Sequence, residues 1–473
     1  MFCLMFAPAL RFDLCVLPFD LFFALVLCTG FAFCLLTCSL FVEDDVDENG
    51  APSIGRVLMV AGGTGGHIFP VLAVAEELRR RGGYEIEFLG THRPLEAKLI
   101  PAAGFPLRTV DAAGLKGIGG LKGLQNLLVL PRTAIAVGKI LRDFRPRVVV
   151  GVGGYLAGPA MLEAALINIP TVLIEPNARP GFTNRLLAPV VRAAAVGFAE
   201  TAEFYGEKAC VTGHPVRRAF FEVPPRYPVT QALLPVPSET QPGVAVSRPF
   251  TILVVGGSQG SSAINRVVAA CVPMLIGEGS VAPTLGSAPG GMAAPHDVGA
   301  SSAGPWPNAV RPSNSSHAGP MPGCEGAGVR IVHQTGEHDY NEIRRTYQER
   351  GLPVEVHAFI DDMPGTLAQA DLVISRAGAM AVAELAAAGR AAILIPFPGA
   401  TDQHQLANAR ALEQAGAARV LVQSELTPGR LVEEIGRLMA NPATLENMEL
   451  AARRLAHPDA AARIADMVET LAR

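Results

Sequence analysis

The feature that most constrains this chain is an alternation of short β-branched apolar runs with longer amphipathic stretches. RVLMVA, EIEFLG, RVVVGV, TVLIE and AAAVGF come first. After a break, TILVVG, RIVHQ, VEVHAF, LVISR, AILIPF and RVLVQ follow, with helical stretches such as PVLAVAEELRRRG between them. That pattern predicts an α/β fold built of parallel sheets with crossover helices. The break follows TGHPVRRAF, where EVPPRYPVTQALLPVPSETQPG collects prolines and loses periodicity. A linker is expected there, over residues 221–248, between Rossmann-like domains at 54–220 and 249–473.

The 473 residues would suit about three domains, but two stretches do not resemble folded protein. Residues 1–42 carry only Arg11, Asp13 and Asp20 as charges, and the last 22 of them carry none. That length can span a bilayer and is unlike a cleaved signal peptide, which needs a basic start and a shorter apolar part. Two readings stay open: a membrane anchor, or sequence upstream of the true start. The acidic EDDVDENG completes this extension, 1–53, as a solvated linker. Residues 277–328 are rich in Gly, Pro, Ser and Ala without an apolar period, and are expected to be a disordered insertion in the second domain.

Charge and cysteine content exclude some classes. A formal charge of -4 gives no global basic field, so nucleic acid is not an expected partner. Five of the eight cysteines fall within the first forty residues, and no C-x-x-C or Cys/His ligand spacing occurs. This argues against structural zinc and for a reducing compartment; neither a metal nor a cofactor is expected.

Each domain opens with a strand, a glycine loop and a helix: MVAGGTGGHIFP in the first, LVVGGSQGSSAIN in the second. Glycine lets a phosphate approach backbone N–H groups at the positive end of a helix, and ligands of such domains sit at the carboxyl ends of the strands. Two loops imply two phosphate-bearing ligands. Neither loop has the lysine of a Walker A motif, and GGTGGH lacks the G-x-G-x-x-G spacing; EIEFLG is followed by Thr91 rather than an acid. Hydride transfer is disfavoured.

GGTGGHIFP, GVGGYLAGP, EPNARPGFTNR, TGHPVR, VVGGSQGSSAIN, FIDDM, SRAGAMAVAEL and PFPGATDQHQLANA occur in an order and spacing that resemble the MurG family over roughly residues 54–470, the insertion excepted. These are the peripheral-membrane N-acetylglucosaminyltransferases of bacterial peptidoglycan synthesis. The resemblance implies a GT-B fold, two Rossmann-like doubly wound domains facing a central cleft. It implies UDP-GlcNAc as donor and lipid I, the undecaprenyl-diphosphate-linked muramyl-pentapeptide, as acceptor. The reaction would be inverting and the product lipid II, made at the cytoplasmic face of the inner membrane. Another GT-B nucleotide-sugar enzyme, such as an epimerase, and a catalytically silent binding relative are the alternatives.

The resemblance also implies site residues. On the donor side, Glu384 would accept the ribose hydroxyls, and the helix start around Ala377, Gly378, Ala379 and Met380 would meet the diphosphate, as would Ser258 and Arg217. Phe359 and Ile360 would hold uracil, Ile360 through backbone groups, and His404 and Gln405 match residues that contact the GlcNAc hydroxyls. The acceptor would lie among Gly62, Gly63, Thr64 and His67, Tyr155, and the trio Glu175, Asn177 and Asn184. Thr64, Gly65, Gly66 and Asn177 on those walls are also assigned to the donor. His67 is either the base for the muramyl 4-hydroxyl or a fixed phosphate-binding donor; Glu175 is a second base candidate. Asp361 and Asp362 are expected to be cap or loop residues.

Three positions depart from the proteobacterial pattern: Ile174 and Pro176 stand where His and Gln flank the glutamate, and His214 stands where Asn is usual. Residues 115–147 mix Leu, Val and Ile with Lys116, Lys122, Arg132, Lys139 and Arg142, a combination suited to the anionic cytoplasmic membrane leaflet.

Overall fold

The computed structural model describes residues 55–62, 65–111, 121–226, 248–256, 261–276 and 328–473, with residues 121–131 and 401 as backbone only. The expectations for residues 1–53, for the insertion (Gly328 apart), for most of the 221–248 linker and for Gly63, Thr64 and Ser258 lie outside the described residues.

Seven strands form the first sheet: β1 (Gly55–Val60), β2 (Tyr84–Gly90), β3 (Leu107–Thr109), β4 (Val148–Gly151), β5 (Thr171–Glu175), β6 (Ala193–Val196) and β7 (Ala209–Val211). They lie in the order β3-β2-β1-β4-β5-β6-β7, every pair parallel. The second sheet holds β8 (Phe250–Val255), β9 (Val329–Gln334), β10 (Val354–His357), β11 (Leu372–Ser375), β12 (Ala392–Leu394) and β13 (Ala418–Val420), in the order β10-β9-β8-β11-β12-β13. Both are doubly wound α/β sheets, as the apolar runs predict. In the first, strand order reverses between β1 and β4, which is where such folds leave a crevice at the strand ends.

Burial explains the unbroken apolar run Val57–Val60 of β1. Val57 and Met59 face one core, with Ile68, Val71, Ala75 and Leu78 of the helix Gly65–Arg81. Leu58 and Val60 face another, with Leu141, Phe144, Leu156 and Met161. The C-terminal helix Ala460–Ala472 inserts Ile464, Ala465 and Val468 into the first of these cores. It is fastened by Arg81, at the negative end of its own helix, through Asp466 at 2.6 Å and Glu469 at 3.1 Å.

Contact density divides the chain into one compact unit, running to Pro225 and including Ser375–Val420 and Met448–Arg473, and a second of Arg226–Ile374 and Leu421–Asn447. In the second unit, Arg226 and Arg248, the described residues on either side of 227–247, both bind Asp371, at 3.0 and 2.8 Å. The Thr251 N–H donates to the same carboxylate at 2.8 Å. Burial works against the ionised form of Asp371, but Arg248, Thr251 and Arg226 outweigh it and hold the carboxyl below its ordinary value. A group shifted in that direction contributes stability above its unfolded pKa, lost as pH falls through the folded one. Asp371→Asn leaves two guanidinium groups short of their counter-charge and should cost about 1.5–3 kcal/mol, the scale of hydrogen bonds to a charged group. Urea unfolding of parent and variant measures it, and a difference under about 0.5 kcal/mol, the scale of an ordinary surface change, would rule the clamp out.

Candidate active site

The crevice between β1 and β4 is lined by backbone. After β4 the chain passes through Gly153 and Gly154 at φ +99° and +82°, a region where side chains are strained, before the helix Gly154–Leu166 begins. Space demands glycine as well: a Cβ on Gly153 would lie 2.4 Å from Asn184 Oδ1, and one on Gly154 3.3 Å from the Gly62 carbonyl oxygen and 3.9 Å from the His67 ring. The two glycine segments thus pack against each other, with His67 in the first turn of the helix that follows β1. Tyr155, 43% exposed, stands at the start of the β4 helix.

His67 retains some exposed surface, yet enough protein surrounds its ring that desolvation dominates its titration. Burial, then the nearby charges of His404 and Arg93, push it down to about 4. His214, buried beyond β7, is likewise lowered to about 4 by burial and by His67. Among the described residues neither His214 ring nitrogen has a hydrogen-bond partner. Both imidazoles are neutral at pH 7.

Three residues beyond His214, Arg217 holds its guanidinium carbon 5.2 Å from the Phe69 ring centre and 5.0 Å from that of Phe220. Its charge reaches Glu384, whose carboxyl burial pushes up to about 7 against the pull of Arg217. Glu384 rides on the helix Ala379–Ala388, whose N-cap is Gly378. Gly378 has no side chain to cap that N-terminus, and no acid occupies its first turn. Its leading N–H groups, including those of Ala379 and Met380, point toward the positive end of the helix.

His404 and Gln405 begin the helix His404–Gln414. The two preceding residues, Asp402 and Gln403, are both left-handed, at φ +54° and +53°, a costly conformation that persists only where the surroundings impose it. Asp402 is held directly, by its pair with Arg185 at 2.9 Å. The segments on either side are tied down as well: the Phe397 N–H donates to Gln405 Oε1 at 3.0 Å, and Arg376 donates to the carbonyls of Ile395 and Pro396.

Glu175 and Asn184 differ from expectation. Glu175, at the end of β5, has no exposed surface. Its Oε1 accepts the Asn177 N–H at 3.0 Å and Asn177 Nδ2 at 3.1 Å; its Oε2 accepts the Gly181 N–H at 2.9 Å and Asn184 Nδ2 at 2.8 Å. Burial still raises its pKa overall, despite those donors. A base must reach its substrate, and this carboxylate instead shapes the 176–181 loop. Asn184, 3% exposed, gives its Nδ2 to the same carboxylate, and among the described residues its Oδ1 has no hydrogen-bond partner. Asn177 uses both side-chain ends, Nδ2 toward Glu175 and Oδ1 toward Asn408 Nδ2 at 3.1 Å.

The second unit contains Phe359, 56% exposed, and Ile360, 8% exposed. The Ile360 N–H already donates to Gln334 Oε1 at 3.0 Å. Asp362 caps the helix Met363–Gln369 through the Gly365 N–H at 2.9 Å, as the sequence suggests.

Two domain families match the sequence, the glycosyltransferase family 28 N-terminal domain over residues 57–196 and its C-terminal domain over residues 251–464. A relative from Anaeromyxobacter sp. (strain Fw109-5) is 40% identical over 420 residues, 88% of this chain and 94% of its own. One from Solibacter usitatus is 38% identical over 88% of this chain and 96% of its own. Both are named UDP-N-acetylglucosamine–N-acetylmuramyl-(pentapeptide) pyrophosphoryl-undecaprenol N-acetylglucosamine transferase. The crystal structure of Acinetobacter baumannii MurG matches with a TM-score of 0.61 at 28% identity, over 88% of this chain and 99% of that one. The chain belongs to the MurG family, within glycosyltransferase family 28.

This MurG-family chain brings His67, Arg217, Glu384, His404 and the Glu175 loop together in one compact unit. Sequence reasoning missed Phe69, Gln334, Asp402 and Asn408. The capping signal at Asp362 is local, whereas these four act through partners distant in sequence. The paired histidines give a pH signature. Their unfolded values lie near 6.5 and their folded values near 4, so the unfolded chain binds more protons between those limits. Stability is full above about pH 6.5 and falls as pH drops toward 4. The melting temperature should therefore fall between pH 7 and 5, and His214→Asn should make that fall shallower. An unchanged slope would remove His214 as its source.

Proposed function

We propose that this glycosyltransferase moves N-acetylglucosamine from UDP-GlcNAc to the muramyl 4-hydroxyl of lipid I, with inversion, to give lipid II. The observation that carries this reading is the grouping of neutral His67 with Arg217 and Glu384 in a chain 40% identical to a transferase so named. The acceptor oxygen attacks the anomeric carbon, the bond to the β-phosphate oxygen breaks, and its electron pair leaves with UDP. Arg217 and the open N-terminus of the Ala379–Ala388 helix receive that charge, an electrostatic contribution fixed before reaction.

Glu384 accepts the ribose hydroxyls. It needs its ionised form for that, and two incoming O–H donors favour ionisation of a carboxyl poised near 7. Uracil packs on exposed Phe359, and with the Ile360 N–H committed to Gln334 its edge is read by the Ile360 carbonyl. His404 and Gln405 face the sugar, and Tyr155 with the glycine backbones at 62 and 153–154 faces the acceptor.

His67 removes the proton of the 4-hydroxyl. Its imidazole is already in the accepting form, and two anionic diphosphates supply the opposing charge that raises it from about 4 toward neutrality. Glu384→Ala should weaken UDP binding at least tenfold, since hydrogen bonds to a charged group contribute about 1.5–3 kcal/mol. His67→Ala should lower turnover roughly a hundredfold while UDP affinity by calorimetry stays near the parent value. Loss of acceptor-analogue binding in that variant would instead assign His67 to the acceptor diphosphate. Loss of UDP binding in His67→Ala with none in Glu384→Ala would invert the whole assignment.

The acceptor is a lipid, and the helix Leu121–Phe144 offers a surface for its membrane. Arg132, Ile135, Lys139 and Arg142 are all exposed, spaced three and four apart on one face, with Ile135 58% exposed. Among the described residues no helix is long and apolar enough to cross a membrane. A basic face with a protruding apolar side chain suits an anionic leaflet. Reversing Arg132, Lys139 and Arg142 to Glu should release the protein from phosphatidylglycerol vesicles in sedimentation without altering UDP affinity. Undiminished vesicle binding would place the membrane contact elsewhere.

A further inference from the structure

Asn408 has no exposed surface and lies in the helix His404–Gln414, four residues beyond His404. Its amide is spent on two segments that are remote from each other in sequence. Nδ2 donates to Asn177 Oδ1 at 3.1 Å and to the Ala377 carbonyl at 3.1 Å, while Oδ1 accepts the Ala178 N–H at 2.8 Å. The first and third partners belong to the loop that Glu175 organises. The second is the residue before Gly378, the N-cap of the helix that carries Glu384. A continuous path of hydrogen bonds therefore runs from Glu175 through Asn177 and Asn408 to Ala377.

A buried amide with only local partners would be ordinary core satisfaction. This one joins the loop that the resemblance assigns to the acceptor wall, Asn177 to the donor as well, to the turn before the proposed donor helix, and an apolar residue in its place would leave the Asn177 oxygen, the Ala178 N–H and the Ala377 carbonyl all short of a partner. Such a junction fixes the two segments in one mutual register. We infer that Asn408 is a positioning residue that couples the acceptor loop to the donor helix, so that occupancy of either ligand site organises the other. With no exposed surface, Asn408 acts through these partners and not by meeting a ligand itself. Order imposed on residues 176–181 by the acceptor passes through its amide to the N–H groups that meet the donor diphosphate, and by thermodynamic linkage the effect is reciprocal.

This inference rests on the function proposed above, and its test separates the two. UDP affinity of the full chain is measured by calorimetry with and without a saturating soluble lipid I analogue, for the parent, Asn408→Ala, Asn177→Ala and the double variant. In the parent the analogue should tighten UDP binding at least fivefold. In Asn408→Ala that factor should fall below twofold, with kcat down at least tenfold. Asn177→Ala breaks the same path from its other end and should lose the factor equally, and the double variant should lose nothing more. It also carries the test if Asn408→Ala does not fold. A variant that melts at a lower temperature but keeps the parent factor would show a merely structural amide and overturn the inference, as would a parent without any such factor. A parent that neither binds UDP nor transfers GlcNAc would overturn the proposed function instead.

Discussion

The first unit depends on a carboxylate that never meets water. Glu175 ends β5, the point at which a parallel strand must hand its chain to a loop, and buried ionisable groups are tolerated only when donors surround them. Four donors do so, two from backbone at residues 177 and 181 and two from the amides of Asn177 and Asn184. They draw the 176–181 loop round the strand end and leave Asn177 Oδ1 directed toward Asn408. Remove the carboxylate and the loop loses the centre that orders it. Burial still outweighs these donors in setting its pKa, so its position depends on all of them together.

Backbone close approach is the second constraint, and it was legible. GGTGGH and GVGG contain more glycine than a strand-to-helix turn needs, and the structure gives the reason at Gly153 and Gly154: left-handed φ, with Asn184 and the Gly62 carbonyl in the space a side chain would fill. The alternation of apolar runs was equally legible, because a parallel strand covered on both faces cannot afford polar positions. Val57 and Leu58 are both fully buried, in opposite cores.

What stayed hidden depends on distance along the chain. Glu175 looked like a base because a glutamate in a motif invites that chemistry; its neutralising donors lie two, six and nine residues on, and only the fold turns them inward. Asn408 lies inside the motif PFPGATDQHQLANA but drew no role of its own, since an asparagine in a helix is unremarkable until its partners 31 and 231 residues away are known. The C-terminal helix likewise has an apolar stripe that fits either sheet. Nothing in Ile464 or Val468 announces that they join Val57 and Met59 rather than the nearer strands in sequence. Local conformational rules were readable in the residues, and long-range partnership was not.

Charge explains why the aromatic partners of Arg217 matter as much as the arginine. In the proposed reaction a free guanidinium would have to be collected and oriented as the leaving diphosphate gains charge, and that ordering would raise the barrier. Over Phe69 and Phe220 the cation is held in advance, by contacts contributing about 0.5–2 kcal/mol, and ring faces do not compete for the N–H donors that a phosphate needs. A carboxylate partner would have held it as firmly but cancelled its charge. Glu384 comes near enough to feel Arg217, yet its carboxyl sits near 7 rather than below its ordinary range, so it compensates the guanidinium only in part. In the reaction proposed above, positive charge is thereby kept where the diphosphate charge develops, on a cation fixed by packing rather than by pairing.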